Sequence, residues 1–305
     1  MINSTQLLTL SHLHPKFWGT WILWFVMRAV ALLPYDWQIT LGEWIGKLGL
    51  LFAKKHRHIV EVNIDLCFSW LSHQQRNQLI DDSFRSTGIG FVETAYAWFS
   101  DPHQLLHRTT IEGVEHLRHA LTEGKGVILM GMHLSTLDLC RALLSTHVPF
   151  DVMYRRNKND LLEAIMINAR AKNFPNALER DDIRGVLKSL KAGRAVWYGA
   201  DQDYGPKHSV FAPFFGVEAA SITATARLAK VSGSPVIVFS HYRDKNNRYT
   251  LRLSPTLAGF PTGEVRADAT KINRQIEKCI QKSPEQYWWA HRRFKTQPQG
   301  REQPY

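Results

Sequence analysis

Apolar runs of strand length alternate with amphipathic segments of helix length from residue 111 to the C-terminal region. Short apolar runs bounded by glycine or proline are typical of buried strands, and apolar positions three and four residues apart are typical of helices. The alternation predicts an α/β fold with a mostly parallel central sheet flanked by helices. The predicted strands are residues 126–131, 149–154, 195–200, 235–240 and 249–253, and the predicted helices are residues 112–122, 137–145, 161–172, 183–191, 219–231 and 271–282.

Two long apolar segments precede this α/β pattern. Residues 17–33 contain three tryptophans and one charged residue, Arg28, so we predict a membrane-anchoring helix that spans the bilayer or lies deep in its interface. Residues 37–53 end in the basic cluster 54–58, which predicts a helix lying on an anionic membrane surface; the alternative is a buried helix with a solvated end. We therefore divide the chain into an N-terminal membrane segment, residues 1–58, and a second domain, residues 59–305.

The pattern of residues 59–100 predicts helix, interrupted at Gly88-Ile89-Gly90. Aromatic residues are frequent just after this glycine pair, from Phe91 to Phe99. Aromatic side chains at helical spacing are more often part of a core than of a cofactor site. We assign them to packing or to the wall of a site for an apolar ligand.

The chain carries a formal net charge of +11 over 305 residues, so an anionic partner is expected: membrane lipid, nucleic acid or an acidic protein. Nucleic acid is the weakest of these, because no helix-turn-helix, zinc-finger or RNA-recognition motif accompanies the basic cluster. Cys67, Cys140 and Cys279 are far apart and lack metal-binding spacing, which indicates neither disulfides nor a structural metal. A cytoplasmic environment fits this cysteine usage.

His133 follows the predicted strand 126–131, and Asp138 falls in the first turn of the helix that comes next. The carboxyl ends of strands in open α/β sheets form the crevice that binds ligands. A carboxylate at position 138 could accept a hydrogen bond from one imidazole nitrogen and leave the other free to remove a proton. We predict His133 and Asp138 as the catalytic pair. Ser135 lacks the glycines of a nucleophile elbow, and no metal-binding motif is present.

Polar residues follow two other predicted strands. Arg155 ends the strand 149–154 and Arg170 lies one helix later, so both are candidates to bind anionic substrate groups. Asp201 and Asp203 follow the strand 195–200 and could position an arginine or an acceptor hydroxyl. The apolar loop 210–216 suits an acyl chain better than a nucleotide, since no phosphate-binding glycine motif occurs.

Six motifs together resemble the lipid A late acyltransferase family. They are His133-x4-Asp138, Tyr154-Arg155, residues 178–182, residues 201–206 with the Phe214-Phe215 loop, residues 284–287 and residues 291–296. The likeness extends over nearly the whole chain and is greatest to the lauroyl-type members that act on Kdo-bearing lipid IVA. Arg156 stands where the family usually has a proline.

The resemblance implies a glycerolipid-acyltransferase-like fold, an inner-membrane enzyme, an acyl carrier protein thioester (acyl-ACP) as donor and a lipid A precursor as acceptor; we expect no cofactor. The basic cluster 54–58 predicts that the catalytic domain lies on the cytoplasmic side, and the basic surface predicts contact with anionic lipid. His133 would then deprotonate a 3-hydroxyacyl hydroxyl of Kdo2-lipid IVA for attack on the thioester. The alternatives are an acyl-ACP thioesterase, an acyltransferase for another glycolipid or lysophospholipid, and a non-catalytic protein that binds a membrane surface or nucleic acid.

Overall fold

A mostly parallel sheet forms the centre of the molecule, in a computed structural model that describes residues 8–305. Its strands lie in the order β1-β9-β8-β2-β5-β3-β4, and every neighbouring pair is parallel except β8 and β9. Two further strands, β6 and β7, form a separate antiparallel hairpin. The predicted mostly parallel sheet is confirmed. The strands are β1 Thr109–Glu112, β2 Val127–Gly131, β3 Phe150–Tyr154, β4 Ala177–Glu179, β5 Ala195–Gly199, β6 Ser209–Phe214, β7 Val217–Ile222, β8 Val236–Arg243 and β9 Tyr249–Leu253.

Helices cover both faces of the sheet, because successive side chains of a strand point to opposite faces and both sets are apolar here. In β2, Ile128 and Met130 belong to one apolar core with side chains of α3, α8, α9 and α10, whereas Val127 and Leu129 belong to a second core with those of α5 and α6. The helices are α1 Trp18–Ala31, α2 Tyr35–Phe52, α3 Lys54–Cys67, α4 His73–Phe99, α5 Val114–Thr122, α6 Leu137–Ser145, α7 Asp160–Asn173, α8 Ile183–Lys191, α9 Ala224–Ser232 and α10 Val265–Ile280.

The predicted membrane-anchoring helix at residues 17–33 is wrong. Within residues 8–305, none of the helices combines the length and the apolar character that crossing a bilayer requires. The helix α1 has 14 residues, about 21 Å at 1.5 Å per residue, against a hydrocarbon core of roughly 30 Å. Instead, Trp24 packs edge-on against Phe99 of α4, with ring centroids 6.1 Å apart.

The predicted boundary between residues 58 and 59 falls inside α3, and the domain division stays a prediction. Residues 1–7 of the predicted N-terminal segment lie outside the described part of the chain. The basic cluster 54–58 forms the exposed first turns of α3, directly after the exposed Leu51 and Phe52 at the end of α2.

The predicted interruption at Gly88-Ile89-Gly90 is also wrong, because α4 continues through it. These glycines allow close approach of the backbone. A Cβ atom on Gly88 would lie 2.2 Å from the carbonyl oxygen of Gly42 in α2. A Cβ atom on Gly90 would lie 2.6 Å from the carbonyl oxygen of Ser135. Gly90 therefore brings α4 against the loop that carries His133.

The segment 209–232 differs most from its predicted structure. The predicted apolar loop 210–216 is mainly strand β6, and the first residues of the predicted helix 219–231 belong to strand β7, so that α9 begins only at Ala224. The turn between the strands is made by Phe215 and Gly216, both with positive φ. Two consecutive residues with positive φ favour the tight turn of a hairpin, which pairs the flanking residues as strands.

Candidate active site

A cavity of about 900 Å³ lies at the carboxyl ends of β2, β3, β4 and β5, where the sequence predicts a ligand crevice. His133 and Asp203 contribute to its wall, together with the basic side chains of Arg155 and Arg180. Another part of the wall is apolar and comes from α8, the end of β7 and α9. These apolar residues are Ile183, Leu187, Ile222, Ala224, Leu228 and Val231. The cavity thus joins a polar end of the sheet to an apolar lining.

His133 is held by Asp201 through two hydrogen bonds. Its ring Nδ1 lies 2.7 Å from Oδ1 of Asp201, and its backbone N–H donates to Oδ2 at 2.9 Å. The Asp201 side chain is 1% exposed and that of His133 is 29% exposed. Burial acts to raise the pKa of Asp201, but the charge and hydrogen bonds of His133 outweigh it and lower that pKa to about 2. An ionised Asp201 therefore favours the neutral tautomer of His133 with its proton on Nδ1, which leaves the lone pair on Nε2 of this cavity-lining residue.

The loop that carries His133 is fixed by the C-terminal segment 286–288. Trp288 donates its backbone N–H to the carbonyl oxygen of His133 at 2.9 Å, and the Ser135 N–H donates to the carbonyl oxygen of Gln286 at 2.7 Å. The Gln286 side chain in turn accepts from the Arg243 backbone N–H at 2.9 Å and donates to its carbonyl oxygen at 2.7 Å. The segment 286–288 thus links the end of β8 to the His133 loop.

A glycine beneath the ring of His133 makes room for it. A Cβ atom on Gly199, at the end of β5, would lie 2.7 Å from Cε1 of His133. Gly199 is paired with Gly131 of β2. A side chain larger than hydrogen at position 199 would displace the imidazole.

Asp138 lies in the first turn of α6, as predicted from the sequence, but its hydrogen-bond partners are Arg141 and Thr94. It accepts a hydrogen bond from Arg141 and one from Thr94 Oγ1 at 3.4 Å. Burial acts to raise its pKa, and the positive charges of Arg141 and Arg170 outweigh this and lower it. Within the part of the chain that the structure describes, no hydrogen bond joins Asp138 to His133. Catalysis by Asp138 stays a prediction.

The other predicted residues divide between the cavity and its surroundings. Arg155 lines the cavity, whereas Arg170 is half-buried outside its wall, with its guanidinium carbon 5.3 Å from the centre of the Tyr154 ring. Burial, followed by the charge of Arg141, lowers the pKa of Arg170 to about 10. Asp203 accepts from the backbone N–H of Thr296 at 2.8 Å and from its hydroxyl at 2.9 Å. Substrate binding by Arg155, Arg170, Asp201 and Asp203 stays a prediction.

The whole of this site lies within a match to a known family. The family model described as "Bacterial lipid A biosynthesis acyltransferase" matches residues 8–296. The chain belongs to this family. It is 39% identical over 290 residues to the lipid A biosynthesis lauroyltransferase of Escherichia coli (strain K12), with 94% of this chain and 95% of that protein covered.

Two other acyltransferases of the same organism are similar over a comparable length. The lipid A biosynthesis palmitoleoyltransferase is 37% identical, covering 94% of each chain, and the myristoyltransferase is 27% identical, covering 96% of this chain and 91% of the relative. The resemblance inferred from the motifs is thereby confirmed.

Sequence reasoning assigned no role to His291, although the motif 291–296 contributed to the resemblance. His291 lines the cavity, and its Nε2 accepts the backbone N–H of Asp203 at 3.1 Å. It lies 88 residues from Asp203 in the chain, so no local pattern could have indicated the contact. Lys295, four residues later, lines the same cavity.

Proposed function

We propose that this lipid A acyltransferase moves a fatty acyl chain from acyl-ACP to the hydroxyl of a 3-hydroxyacyl chain on Kdo2-lipid IVA. The lauroyl chain is our first choice of donor, by similarity to the lauroyltransferase. The observation that carries the proposal is the His133–Asp201 pair at a cavity of about 900 Å³ with a partly apolar wall. Such a cavity suits a base acting beside a hydrocarbon chain.

The proposed reaction begins when Nε2 of His133 removes the proton from the acceptor hydroxyl. The hydroxyl oxygen bonds to the thioester carbonyl carbon, the carbon–sulfur bond breaks, and the leaving thiolate takes the proton from His133. Asp201 holds the ring in the required tautomer and stabilises the imidazolium that forms. No nucleophilic serine or cysteine is needed, because acceptor and donor react directly.

The charge around the cavity supports an anionic donor. Arg155, Arg180, Arg227 and Lys295 line it, and the chain as a whole carries a net charge of +11. These groups suit the phosphate of a carrier-bound arm, a glycolipid phosphate and an acidic carrier protein. We expect the KM for acyl-ACP to rise with salt, since attraction between exposed charges is screened within about 10 Å at 0.1 M ionic strength. A KM that does not change with salt would count against this donor.

We place the protein at the cytoplasmic face of the inner membrane, where its lipid acceptor is accessible. Apolar side chains of α2 are exposed, among them Trp37, Trp44 and Leu48. The basic cluster 54–58 lies directly after α2. Exposed aromatic and aliphatic side chains beside cations suit peripheral contact with anionic lipid. Co-sedimentation with anionic but not with neutral vesicles would support this placement, and binding to neither would contradict it.

The decisive experiment is mass spectrometry of lipid IVA, with and without Kdo, after incubation with purified enzyme and a mixed pool of acyl-ACPs. The control is His133→Ala, which should lose about 10²–10⁴-fold in rate because general base catalysis contributes that much. A mass gain of one acyl group that is lost in the control supports the proposal and identifies the chain. Free fatty acid without acylated lipid would indicate a thioesterase, and donor consumption only with another glycolipid or a lysophospholipid would indicate a different acceptor.

A further inference from the structure

We propose that His291 is a second catalytic histidine, which donates a hydrogen bond from Nδ1 to the thioester carbonyl oxygen as that oxygen becomes negative. The inference rests on the proposed acyl transfer and assigns an additional group to it. In acyl transfer, the attack of the hydroxyl places negative charge on this oxygen, and a fixed donor aimed at it lowers the barrier. None of the roles described above for the cavity residues supplies this donor.

The hydrogen bond from Asp203 determines which nitrogen of His291 carries the proton. A backbone N–H can only donate, so Nε2 of His291, 3.1 Å from the Asp203 nitrogen, must accept. In the neutral ring the proton is then on Nδ1. Among residues 8–305 the structure records no protein acceptor for this N–H, although the residue lines the cavity. Nδ1–H is therefore available to a ligand.

The surroundings keep the His291 ring neutral at physiological pH. Burial lowers the pKa of His291 from 6.5 to about 4. The charge of Asp201 opposes this shift, and the charge of Lys295 adds to it. A neutral imidazole cannot lend a full positive charge, but it is an effective hydrogen-bond donor to an oxygen that gains charge during a reaction. Neutrality also preserves the lone pair on Nε2 that Asp203 requires.

His291 is tied to the same two backbone segments as His133. The loop 201–203 holds both rings, since Asp201 binds Nδ1 of His133 and the Asp203 N–H binds Nε2 of His291. Trp288 provides the second connection: it donates its N–H to the carbonyl oxygen of His133 at 2.9 Å and accepts the N–H of His291 at 3.3 Å. Base and donor are thus held in a fixed relation, as a reaction needing both requires.

An unbroken helix also supports His291. Nδ2 of Asn63 in α3, a fully buried side chain, donates to the carbonyl oxygens of Trp289 at 2.6 Å and of His291 at 2.8 Å. The position of the ring is therefore set by the core and not by a free loop. During the reaction the proton of the hydroxyl passes to His133 and then to the leaving thiolate, while His291 keeps its own proton throughout.

Two substitutions separate the hydrogen bond from the space that the ring fills. In His291→Gln, the amide oxygen can accept the Asp203 N–H and the amide nitrogen can donate to substrate. In His291→Leu, neither is possible. We expect His291→Leu to lower kcat by about 10²–10³-fold, the usual cost of one oxyanion donor, with the KM for acyl-ACP changed by less than about threefold. The kcat of His291→Gln should be at least about tenfold higher than that of His291→Leu.

These kinetic results can overturn the inference. A His291→Leu enzyme with kcat within about threefold of the wild type excludes a donor role. A folded His291→Gln enzyme as slow as His291→Leu excludes it as well, because the donor would then have been restored without effect. Failure of the wild-type enzyme to acylate lipid would instead contradict the proposed function, so the two failures are distinguishable.

A spectroscopic measurement covers the case in which the His291 variants do not fold. The His133→Ala enzyme retains His291 and transfers slowly, so in the absence of lipid acceptor it can be saturated with acyl-ACP labelled with ¹³C at the thioester carbonyl. Isotope-edited infrared spectroscopy should show the carbonyl band at lower frequency in the complex than in free acyl-ACP, because a hydrogen bond weakens the C=O bond. An unshifted band overturns the inference.

Discussion

The pairing of His133 with Asp201 predicts that Asp201→Asn disables the base while leaving its position intact. Both carboxylate oxygens of Asp201 are in use, one by the backbone N–H of His133 at 2.9 Å and one by ring Nδ1 at 2.7 Å. An asparagine must keep its single oxygen on the backbone N–H, so its NH₂ group faces Nδ1. The ring proton then moves to Nε2, and no lone pair faces the acceptor hydroxyl.

The expected loss in kcat is about 10²–10⁴-fold, since that is the contribution of a general base, and the same substitution in a Ser-His-Asp triad costs about 10⁴-fold. The effect on stability should be modest. Lowering the Asp201 pKa from 3.8 to about 2 stabilises the folded protein by about 2 kcal/mol at neutral pH. This stabilisation is present above pH 4 and is lost as the pH falls towards 2, so the variant should still be folded at pH 7.

The matched control is Asp138→Asn, which makes the same chemical change at a carboxylate that contacts Arg141 and not His133. It removes the counter-charge of Arg141, whose side chain is 3% exposed, and should therefore lower the free energy of unfolding by more than Asp201→Asn does. Initial rates at saturating donor and acceptor give kcat, and urea unfolding gives stability. The reasoning is refuted if Asp201→Asn keeps kcat within about threefold of the wild type while Asp138→Asn loses about 100-fold or more.

Three further substitutions test the supporting structure. Gly199→Ala would place a Cβ 2.7 Å from Cε1 of His133, and should lower the transfer rate by up to about 10²-fold; an unchanged rate would show that the ring has room. Burial lowers the pKa of His241 from 6.5 to about 3. As the pH falls below 6.5, this histidine therefore takes up a proton in the unfolded chain but stays neutral in the folded chain, which favours unfolding. Urea unfolding should therefore show the wild type losing about 2 kcal/mol more than His241→Gln between pH 6.5 and 5, and equal losses would contradict this. Gly88→Ala would place a Cβ 2.2 Å from the Gly42 carbonyl oxygen and should destabilise the protein by at least about 1–3 kcal/mol in thermal unfolding, where an unchanged Tm would argue against tight helix packing.

Local patterns predicted the elements whose ends are marked in the sequence. The helices α6 and α8 and the strand β9 have the predicted bounds, because each has a clear periodicity and polar, glycine or proline residues beside it. The hairpin β6–β7 was missed for the opposite reason. Its second strand, Val217–Ile222, is followed by α9 after a single residue, so one apolar stretch had to be divided between two kinds of structure.

The apolar N-terminal segments show where composition is ambiguous. A run such as 17–33 suits a bilayer, but it equally suits a helix that packs one side on a protein and exposes the other. The structure chooses the second arrangement: Trp24 contacts α4, while Trp18 and Phe25 are exposed. Which alternative holds depends on contacts with Phe99, 75 residues after Trp24, and no local pattern contains that information.

The partner of His133 shows the same limit most clearly. Asp138 is five residues away and was the nearest carboxylate in the chain, but the first turn of α6 directs it towards Arg141. Asp201 is 68 residues away in the chain. It reaches His133 because β2 and β5 are neighbours with Gly131 opposite Gly199, and each of the two residues lies two positions beyond its glycine. Strand order and register thus determine the pair, and both depend on how the entire sheet assembles. The sequence identified the two strand ends that carry chemistry; only the fold could show that these two ends are adjacent.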